Sequence, residues 1–390
     1  MGENQVLLSG RQTRKCYRSA LACRREAELL TALTPTGLVP PLLCREERAL
    51  TLATVSGLTL LETLEPLWQG PPGPRRRLLR LLVDWAAQFQ AGCLHVLGQS
   101  VALEDPNFRN FILTPHGNLV GLDLEHWHYG SSVETPALLL AYLDGYRGAS
   151  AEDILWLRGE LIRTLSLAAS DLREAEARGR ALLRLRRTTA PLRRGSLAVL
   201  CPDGASSPEP ALYALAPFDQ VLLVSERSCL PHETVPPAAP GPLGALLAAR
   251  LRYPKARLLF LAGPAAALLT EAQLYGLYAA LAPEDNCLLP TLGGLPVPGL
   301  GLYRANGPWD GPARHIPLEP LPPPSASPQG KRSPTLCCQM CRGWGIIPHK
   351  RRPNKVPSGS HPAISSPDKL FCNDHVSLYS LSSHSHKQWG

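Results

Sequence analysis

The fold of this chain is decided by two short stretches, EDPNFRNFIL at residues 104–113 and GLDLE at residues 121–125. Apolar runs at the end of the first stretch and just before the second flank the turn-forming residues TPHG, which predicts a tight β-hairpin. Asp105 and Asn110 lie at the entrance of this hairpin, and Asp123 lies at its exit. This combination suits phosphoryl transfer, in which one Asp accepts the hydroxyl proton while an Asn and a second Asp hold Mg²⁺ beside the phosphates.

Asp105 and Asn110 are spaced as in the D-x-x-x-x-N catalytic loop of protein kinases, and Asp123 stands where the metal-binding Asp of D-F-G stands. The segment resembles the kinase-like fold of the aminoglycoside phosphotransferase and lipopolysaccharide-kinase type. The resemblance implies that Asp105 is the catalytic base and that Asn110 and Asp123 ligate Mg²⁺. The usual His before the catalytic Asp is absent, and Glu125 replaces the Gly of D-F-G. The structural alternative is a plain hairpin, in which Asp, Asn and Gly are common.

A second pair of candidate residues lies near the N-terminus, where two strand-like runs precede an amphipathic helix. In kinase-like folds, a Lys on a strand and a Glu on the next helix form the ion pair that positions the ATP phosphates. By this resemblance Lys15 binds ATP and Glu26 orients Lys15, with Glu28 as a substitute; a solvated surface pair is the alternative. Only Gly10 lies near Lys15 in place of G-x-G-x-x-G, so we expect a shortened small lobe.

The same resemblance implies that residues 1–190 form an α+β kinase-like domain with two lobes. A strand-like run at residues 49–60 resembles the hinge between the lobes. Apolar residues at helical spacing predict a strong amphipathic helix over residues 75–93. Further helices are predicted at residues 135–146, 153–167 and 171–187, and the run APLRRG at residues 190–195 predicts the domain boundary.

Residues 196–312 predict a separate α/β domain. Continuous apolar runs at residues 196–201, 218–225 and 256–263 alternate with apolar helices at residues 243–251 and 271–281. Such runs with helical crossovers predict a Rossmann-like, mostly parallel sheet with helices packed on it.

This second domain resembles the molybdenum cofactor guanylyltransferases and related nucleotidyltransferases. The matching pieces are DQVLLV (219–224), GPLGAL (241–246), LFLAGP (259–264) and LPVPGLGLYR (295–304). The basic phosphate loop of that family is absent after Leu200, and Gly263 stands at its metal-binding Asp, so the resemblance implies the fold without the activity. A nucleotidyltransferase that binds GTP or CTP and a non-catalytic two-domain scaffold are therefore the alternatives to a kinase.

Composition limits the partners and the location. The net charge of +8 is spread along helical patterns beside Glu, so a nucleic-acid partner is not expected, whereas an anionic nucleotide is compatible. No apolar run is long enough for a membrane span, and no apolar signal core is seen at the N-terminus. The eleven scattered Cys suit reduced thiols in the cytoplasm.

Residues 316–390 are rich in Pro, Ser and His, which predicts a disordered tail. The alternative is a zinc site built from Cys338, Cys341, Cys372 and His375, whose spacing fits a tetrahedral Cys₃His site. Taken together, the chain is predicted to be an ATP- and Mg²⁺-dependent phosphotransferase acting on a small-molecule hydroxyl.

Overall fold

The structure, a computed structural model, describes residues 5–202, 207–218, 220–226, 234–309 and 311–318. All of these residues belong to one compact unit. The Cys and His residues of the alternative zinc site, and the predicted tail beyond residue 318, lie outside the described residues. No helix in the described part of the chain combines the length and the apolar content that crossing a bilayer requires.

The first described part of the chain is an antiparallel sheet of four strands with one helix. Its elements are β1 (Gln5–Ser9), β2 (Gln12–Cys16), α1 (Ala20–Leu33), β3 (Leu42–Arg45) and β4 (Ala49–Ala53). The order of the strands in the sheet is β1-β2-β4-β3. Gly10, with φ of 58°, makes the turn between β1 and β2. Ser19 is the N-cap of α1, and its hydroxyl accepts hydrogen bonds from the amides of Leu21 and Ala22. The two predicted strands and the predicted helix are confirmed, and β3 was not predicted.

A helical part follows. Its elements are β5 (Leu58–Thr59), α2 (Leu60–Leu64), α3 (Pro72–Leu97), β6 (Val101–Leu103), β7 (Phe111–Leu113), β8 (Leu119–Gly121), β9 (Trp127–Tyr129), α4 (Glu134–Gly145), α5 (Ala151–Leu165) and α6 (Ala169–Arg193). Helix α3 begins with Pro in its first turn and ends at Gly98, which has φ of 71°. Its buried stripe includes Leu82, Trp85 and Phe89, as the periodicity predicts. This stripe belongs to the same buried core as Phe111 and Leu119 of the hairpin β7–β8.

Residues 196–318, called the α/β part from here on, form a mixed sheet with helices on both faces. Its elements are β10 (Ser196–Leu200), α7 (Glu209–Ala214), β11 (Val221–Val224), β12 (Thr234–Val235), α8 (Gly241–Arg252), β13 (Leu258–Ala262), α9 (Glu271–Ala280), β14 (Cys287–Leu292), β15 (Leu295–Pro296), β16 (Leu300–Arg304) and β17 (Arg314–Pro317). Strands β12, β11, β10 and β13 are parallel neighbours. Strand β16 is antiparallel to both β13 and β14. Only about half of the sheet is therefore parallel, and the Rossmann-like assignment remains a prediction.

The sheet also extends past the predicted end of this domain at residue 312, because β17 pairs in parallel with β14. Residues 316 and 317, predicted to begin the tail, belong to β17. Two residues separate the end of α6 at Arg193 from the start of β10 at Ser196. The division into domains at 1–190, 196–312 and 316–390 remains a prediction.

The α/β part contacts the N-terminal sheet and helix directly. The Glu209 carboxylate, on α7, accepts a hydrogen bond of 2.9 Å from the Ser19 hydroxyl at the start of α1. It also forms an ion pair of 2.6 Å with Arg48. The Tyr213 hydroxyl donates to the backbone oxygen of Glu125 at 3.2 Å. Helix α7 thus packs against the start of α1 and the segment that follows the hairpin.

Candidate functional site

The hairpin predicted from the sequence is present, and its backbone brings Asn110 close to Asp123. Phe111 of β7 lies opposite Gly121 of β8. The Leu122 amide donates a hydrogen bond of 2.6 Å to the Asn110 carbonyl, which joins the entrance of the hairpin to its exit. Gly121 is required here, because a Cβ atom at this position would lie 2.5 Å from the Trp85 ring. The tight packing on α3 therefore fixes the position of both polar residues.

Asp123 has an unusual backbone conformation, with φ of 57°. Non-Gly residues with positive φ are uncommon, and such conformations gather at functional sites. The turn directs the Asp123 carboxylate to the Lys15 ammonium, with which it forms a short hydrogen bond. The next amide, that of Leu124, donates to Glu26 Oε1 at 3.1 Å. The segment after the hairpin is thus attached to both β2 and α1.

Lys15 and Glu26, paired by resemblance, form a buried ion pair. Lys15 Nζ lies 2.7 Å from Glu26 Oε2 and 3.4 Å from Glu125 Oε2. The Tyr17 hydroxyl donates to Glu26 Oε2 at 2.6 Å. Glu28, the substitute, is exposed on α1. The structure therefore brings Lys15, Glu26 and Asp123 together, while the roles assigned to them remain predictions.

The charges in this cluster do not balance, since one ammonium faces three carboxylates. Burial disfavours the charge on Lys15, but Glu26, Asp123 and Glu125 outweigh this effect and raise its pKa. Burial raises the pKa of Glu26, and the neighbouring carboxylates add to the rise. Burial also favours the neutral form of Glu125, but the hydrogen bond from His126 and the charge of Lys15 lower its pKa to about 2. When its three carboxylates are ionised, the cluster has more negative than positive charge even if His126 is protonated, and it can then attract a cation.

The donor atoms fit a divalent cation such as Mg²⁺. One carboxylate oxygen from each of Glu26, Asp123 and Glu125 lies within 4.8 Å of the others. Asn110 donates from Nδ2 to the Asp105 carbonyl at 3.0 Å, so its Oδ1 is the amide atom left for a cation. Carboxylate and amide oxygens are hard ligands of the kind that Mg²⁺ takes. Asn110 and Asp123 were predicted as metal ligands; Glu125 was not.

The Asp105 side chain is held by residues from two helices. Its Oδ1 accepts a short hydrogen bond from the Tyr142 hydroxyl on α4. Arg186 Nη1, on α6, lies 3.5 Å from the same oxygen, and 44 % of the Asp105 side chain is exposed. Partial burial raises the pKa of Asp105, and Arg186 and Tyr142 oppose this rise without reversing it. A carboxylate with a raised pKa is better suited to accept a proton.

A cavity of about 770 Å³ adjoins the cluster, and its lining includes Lys15, Glu26, Asn110 and Asp123. This volume lies within the range of roughly 300–1,000 Å³ that is usual for ligand pockets. Asp105 does not belong to the lining. The apolar part of the wall includes Leu52, Val55, Ile112 and Leu122, together with Val6 and Leu8 of β1. The α/β part supplies Tyr213, Pro217 and Phe218. The cavity is therefore bounded by all three parts of the structure.

Sequence reasoning did not assign roles to Glu125, Tyr142 and Arg186. Glu125 was noted as a departure from D-F-G, and a metal site built from it and the neighbouring His residues was not favoured, although its position two residues after Asp123 was a usable signal. Tyr142 lies on a predicted helix with no motif around it. Arg186 lies in a segment rich in Arg, where the sequence does not distinguish it from its neighbours.

Next to Asp105, His128 joins β9 to two carboxylates. Its Nε2 lies 2.8 Å from Glu134 Oε2 and its Nδ1 lies 3.4 Å from Glu104 Oε1. Hydrogen bonds to Glu104 and Glu134 raise the pKa of His128 to about 9. The protonated imidazole thereby ties β9 both to the start of α4 and to the residue before Asp105.

We expect the stabilisation from His128 to depend on pH. Because its pKa rises on folding, the contribution to the unfolding free energy is complete below the unfolded pKa of about 6.5 and is lost as the pH passes about 9. The melting temperature of His128→Gln should thus lie below that of the unmodified chain at about pH 6, and the gap should shrink at about pH 10. His116→Gln, in the exposed hairpin turn, is the control. A gap that is the same at both pH values would contradict this account.

No protein-family model and no curated protein matches this chain. Among solved structures, it is similar to choline kinase LicA from Streptococcus pneumoniae, with 12% identity, a TM-score of 0.31, and coverage of 48% of this chain and 79% of that chain. The streptomycin–ATP–APH(2")-IIa ternary complex matches with 11% identity, a TM-score of 0.29 and coverage of 56% and 91%. The co-crystal structure of WbdD with the kinase inhibitor LY294002 matches with 10% identity, a TM-score of 0.31 and coverage of 45% and 43%, so the chain spans less than half of that protein. The function proposed below rests on the geometry of the site.

Proposed function

We propose that this chain is an ATP- and Mg²⁺-dependent phosphotransferase that acts on a hydroxyl group of a small molecule. The observation that carries the proposal is the buried contact of Lys15 with Glu26 and Asp123 in the lining of the cavity. Burying an ammonium is costly unless it is well paired, so a structural role alone would need only one carboxylate. The additional carboxylates instead suit a site that receives a cation together with an anionic phosphate chain.

The residues have distinct roles in binding. Lys15 would contact the phosphates, and Glu26 would orient Lys15 while keeping the Leu124 amide in place. Asn110 Oδ1, Asp123 and Glu125 would hold Mg²⁺. When bound, this ion neutralises charge on the phosphates. Since Lys15 already contacts Asp123, binding of Mg²⁺ and ATP would require a small shift of the ammonium from the carboxylate to a phosphate oxygen.

In the reaction, the acceptor hydroxyl oxygen forms a bond to the γ-phosphorus as the bond from this phosphorus to the bridging oxygen of ADP breaks. The hydroxyl proton passes to the Asp105 carboxylate, and ADP leaves with the electron pair of the broken bond. The Asn110 side-chain amide donates a hydrogen bond of 3.0 Å to the Asp105 carbonyl oxygen and thereby holds the backbone at Asp105 in place. Positioning of the reactants is the main contribution that a protein can make to such a transfer.

The apolar wall of the cavity suits a flat base. Leu52 and Val55 come from β4 and the segment after it, whereas Ile112 and Leu122 come from the hairpin and the residue next to it. A purine placed between these two pairs would point its phosphates to Lys15. Val6 and Leu8 lie on the same face of β1 and would cover the nucleotide, in place of the glycine-rich loop that the sequence lacks.

No observation favours the nucleotidyltransferase alternative. At the carboxyl end of β13, Gly263 supplies no carboxylate. Its amide donates a hydrogen bond of 2.8 Å to the Gly299 carbonyl. Residues 203–206, the position after β10 where the phosphate loop would lie, are outside the described residues, and so is Asp219. The non-catalytic scaffold is one of the outcomes of the following test.

We expect ATP to raise the melting temperature of the full chain only when Mg²⁺ is present. A ligand that binds only the folded state at 100 times its dissociation constant adds about 2.7 kcal/mol to the unfolding free energy. Thermal unfolding should be measured with ATP, GTP and CTP, each with and without Mg²⁺. Asp123→Asn should lose the Mg²⁺-dependent part of the shift.

The same measurement separates the alternatives. Stabilisation by GTP or CTP, but not by ATP, would favour the nucleotidyltransferase. No stabilisation by any of the three nucleotides would favour the scaffold. Release of ADP from Mg²⁺ and ATP, measured with water as the acceptor, tests turnover before the natural acceptor is identified.

A further inference from the structure

Arg186 connects Asp105 to the α/β part. It lies near the end of α6, and 17 % of its side chain is exposed. Its Nε donates to Glu271 Oε1 at 2.7 Å, and its Nη2 forms a short hydrogen bond with Glu271 Oε2. Glu271 is the first residue of α9, which follows the N-cap Thr270. This two-point contact fixes the plane of the guanidinium as well as its position.

The other edge of the guanidinium faces Asp105. Arg186 Nη1 donates to the Tyr142 hydroxyl oxygen at 2.8 Å, and Nη2 donates to the Glu104 carbonyl at 2.9 Å. Because the Tyr142 oxygen accepts from Arg186, its own proton is directed to Asp105 Oδ1. The direct distance from Arg186 to this oxygen is 3.5 Å, too long for a strong hydrogen bond. Asp105 thus keeps one carboxylate oxygen oriented by Tyr142 and a second one for an acceptor hydroxyl.

We propose that Arg186, held by Glu271, is a positioning residue that orients the Asp105 carboxylate through Tyr142, so that the α/β part completes the catalytic unit. This inference rests on the proposed function. Glu271 has two effects on the geometry. It aligns the guanidinium with Tyr142, and it supplies a carboxylate partner that keeps Arg186 from closing a direct ion pair with Asp105.

A purely structural ion pair is the alternative, and kinetics can separate the two. If Arg186 and Glu271 only stabilised the packing of α6 on α9, their loss would lower the melting temperature without changing the turnover of the folded enzyme. If they position Asp105, turnover falls while the Michaelis constant for ATP does not change, because the residues that line the nucleotide cavity are untouched. Misplacement of a catalytic group by about 1 Å can cost roughly 10²-fold in rate.

The experiment compares Glu271→Gln, Tyr142→Phe and the double variant in the full chain, with Mg²⁺ and ATP as the probe and ADP release to water as the readout. We expect Glu271→Gln to lower kcat by roughly 10- to 100-fold with little change in the Michaelis constant for ATP. In the Tyr142→Phe background the same substitution should lower kcat much less than it does alone, because the link through the Tyr142 hydroxyl is already cut. Tyr142→Phe removes only a hydroxyl group, so it tests the link even if Glu271→Gln does not fold.

The matched control is Glu176→Gln, which removes another two-point contact between a Glu and an Arg, here between α6 and Arg158 on α5. Glu176 lies on α6 and accepts from Arg158 at 2.9 and 3.0 Å. We expect this variant to keep the kcat of the unmodified chain. A kcat of Glu271→Gln equal to that of Glu176→Gln would overturn the inference while the proposed function stands. The same conclusion would follow if the effects of Glu271→Gln and Tyr142→Phe on kcat simply multiplied in the double variant. If the unmodified chain showed neither stabilisation by Mg²⁺ and ATP nor release of ADP, both the inference and the proposed function would be overturned.

Discussion

Replacing Asp105 by Asn is expected to lower kcat for ADP release from ATP by roughly 10²- to 10⁴-fold, the usual contribution of a general base. Asn has the shape of Asp and can still accept the hydrogen bond from Tyr142, but it cannot take a proton from the acceptor. The backbone contact between Asn110 and residue 105 does not involve the side chain that changes. The fold and the binding of Mg²⁺ and ATP should therefore be retained.

This prediction is tested by measuring kcat together with the Mg²⁺-dependent thermal shift. Asp144→Asn is a suitable control, since Asp144 on α4 is a half-exposed carboxylate paired with Arg180 at 3.3 Å. Retention of full turnover in Asp105→Asn would remove the general base from the mechanism. If Asp105→Asn lost both turnover and the Mg²⁺-dependent thermal shift, Asp105 would be assigned to binding and not to proton transfer.

Replacing Lys15 by Met is expected to have the second large effect, on stability as well as on binding. The substitution leaves the Glu26 carboxylate buried without its ammonium partner, next to the carboxylates of Asp123 and Glu125. Removing one partner of a buried ion pair costs about 3–5 kcal/mol of unfolding free energy. The contact with phosphate is lost in the same variant, so ATP should no longer shift the melting temperature.

Denaturant unfolding of Lys15→Met measures the first effect, and the nucleotide thermal shift measures the second. Lys255→Met is the natural control, because Lys255 is an exposed Lys on the surface of the α/β part. An unfolding free energy for Lys15→Met that equals that of the control would mean that the ion pair contributes nothing to stability. A thermal shift by ATP that survives the substitution would remove Lys15 from the nucleotide site.

Much of the architecture follows from local sequence. The stripe of Leu82, Trp85 and Phe89 determines α3, and apolar runs of four or five residues determine the central strands of the α/β part. The contact of Lys15 with Glu26 and Asp123 was also accessible, because a spacing within one motif and a strand–helix order identify these residues. Three-residue strands such as β6 and β9 are too short for periodicity, and they form only because they pair with each other.

The part of the site that surrounds Asp105 could not be predicted. Tyr142, Arg186 and Glu271 come from three different helices and meet only through tertiary packing. Arg184, Arg186 and Arg187 look equivalent in the sequence. Only the orientation of α6 in the folded protein determines that Arg186 contacts Tyr142 and Glu271. The strand order of the α/β part was equally hidden, because an apolar run does not show whether its neighbours are parallel or antiparallel.

The left-handed backbone at Asp123 limits how this position can change over evolutionary time. With φ of 57°, the turn accepts Gly, Asn or Asp, whereas a β-branched residue would be strained. A descendant that abandoned its chemistry could therefore drift to Asn or Gly here and keep the same turn. In any set of homologous chains, the identity of this single residue would then separate lineages under selection for cation binding from lineages that keep only the shape.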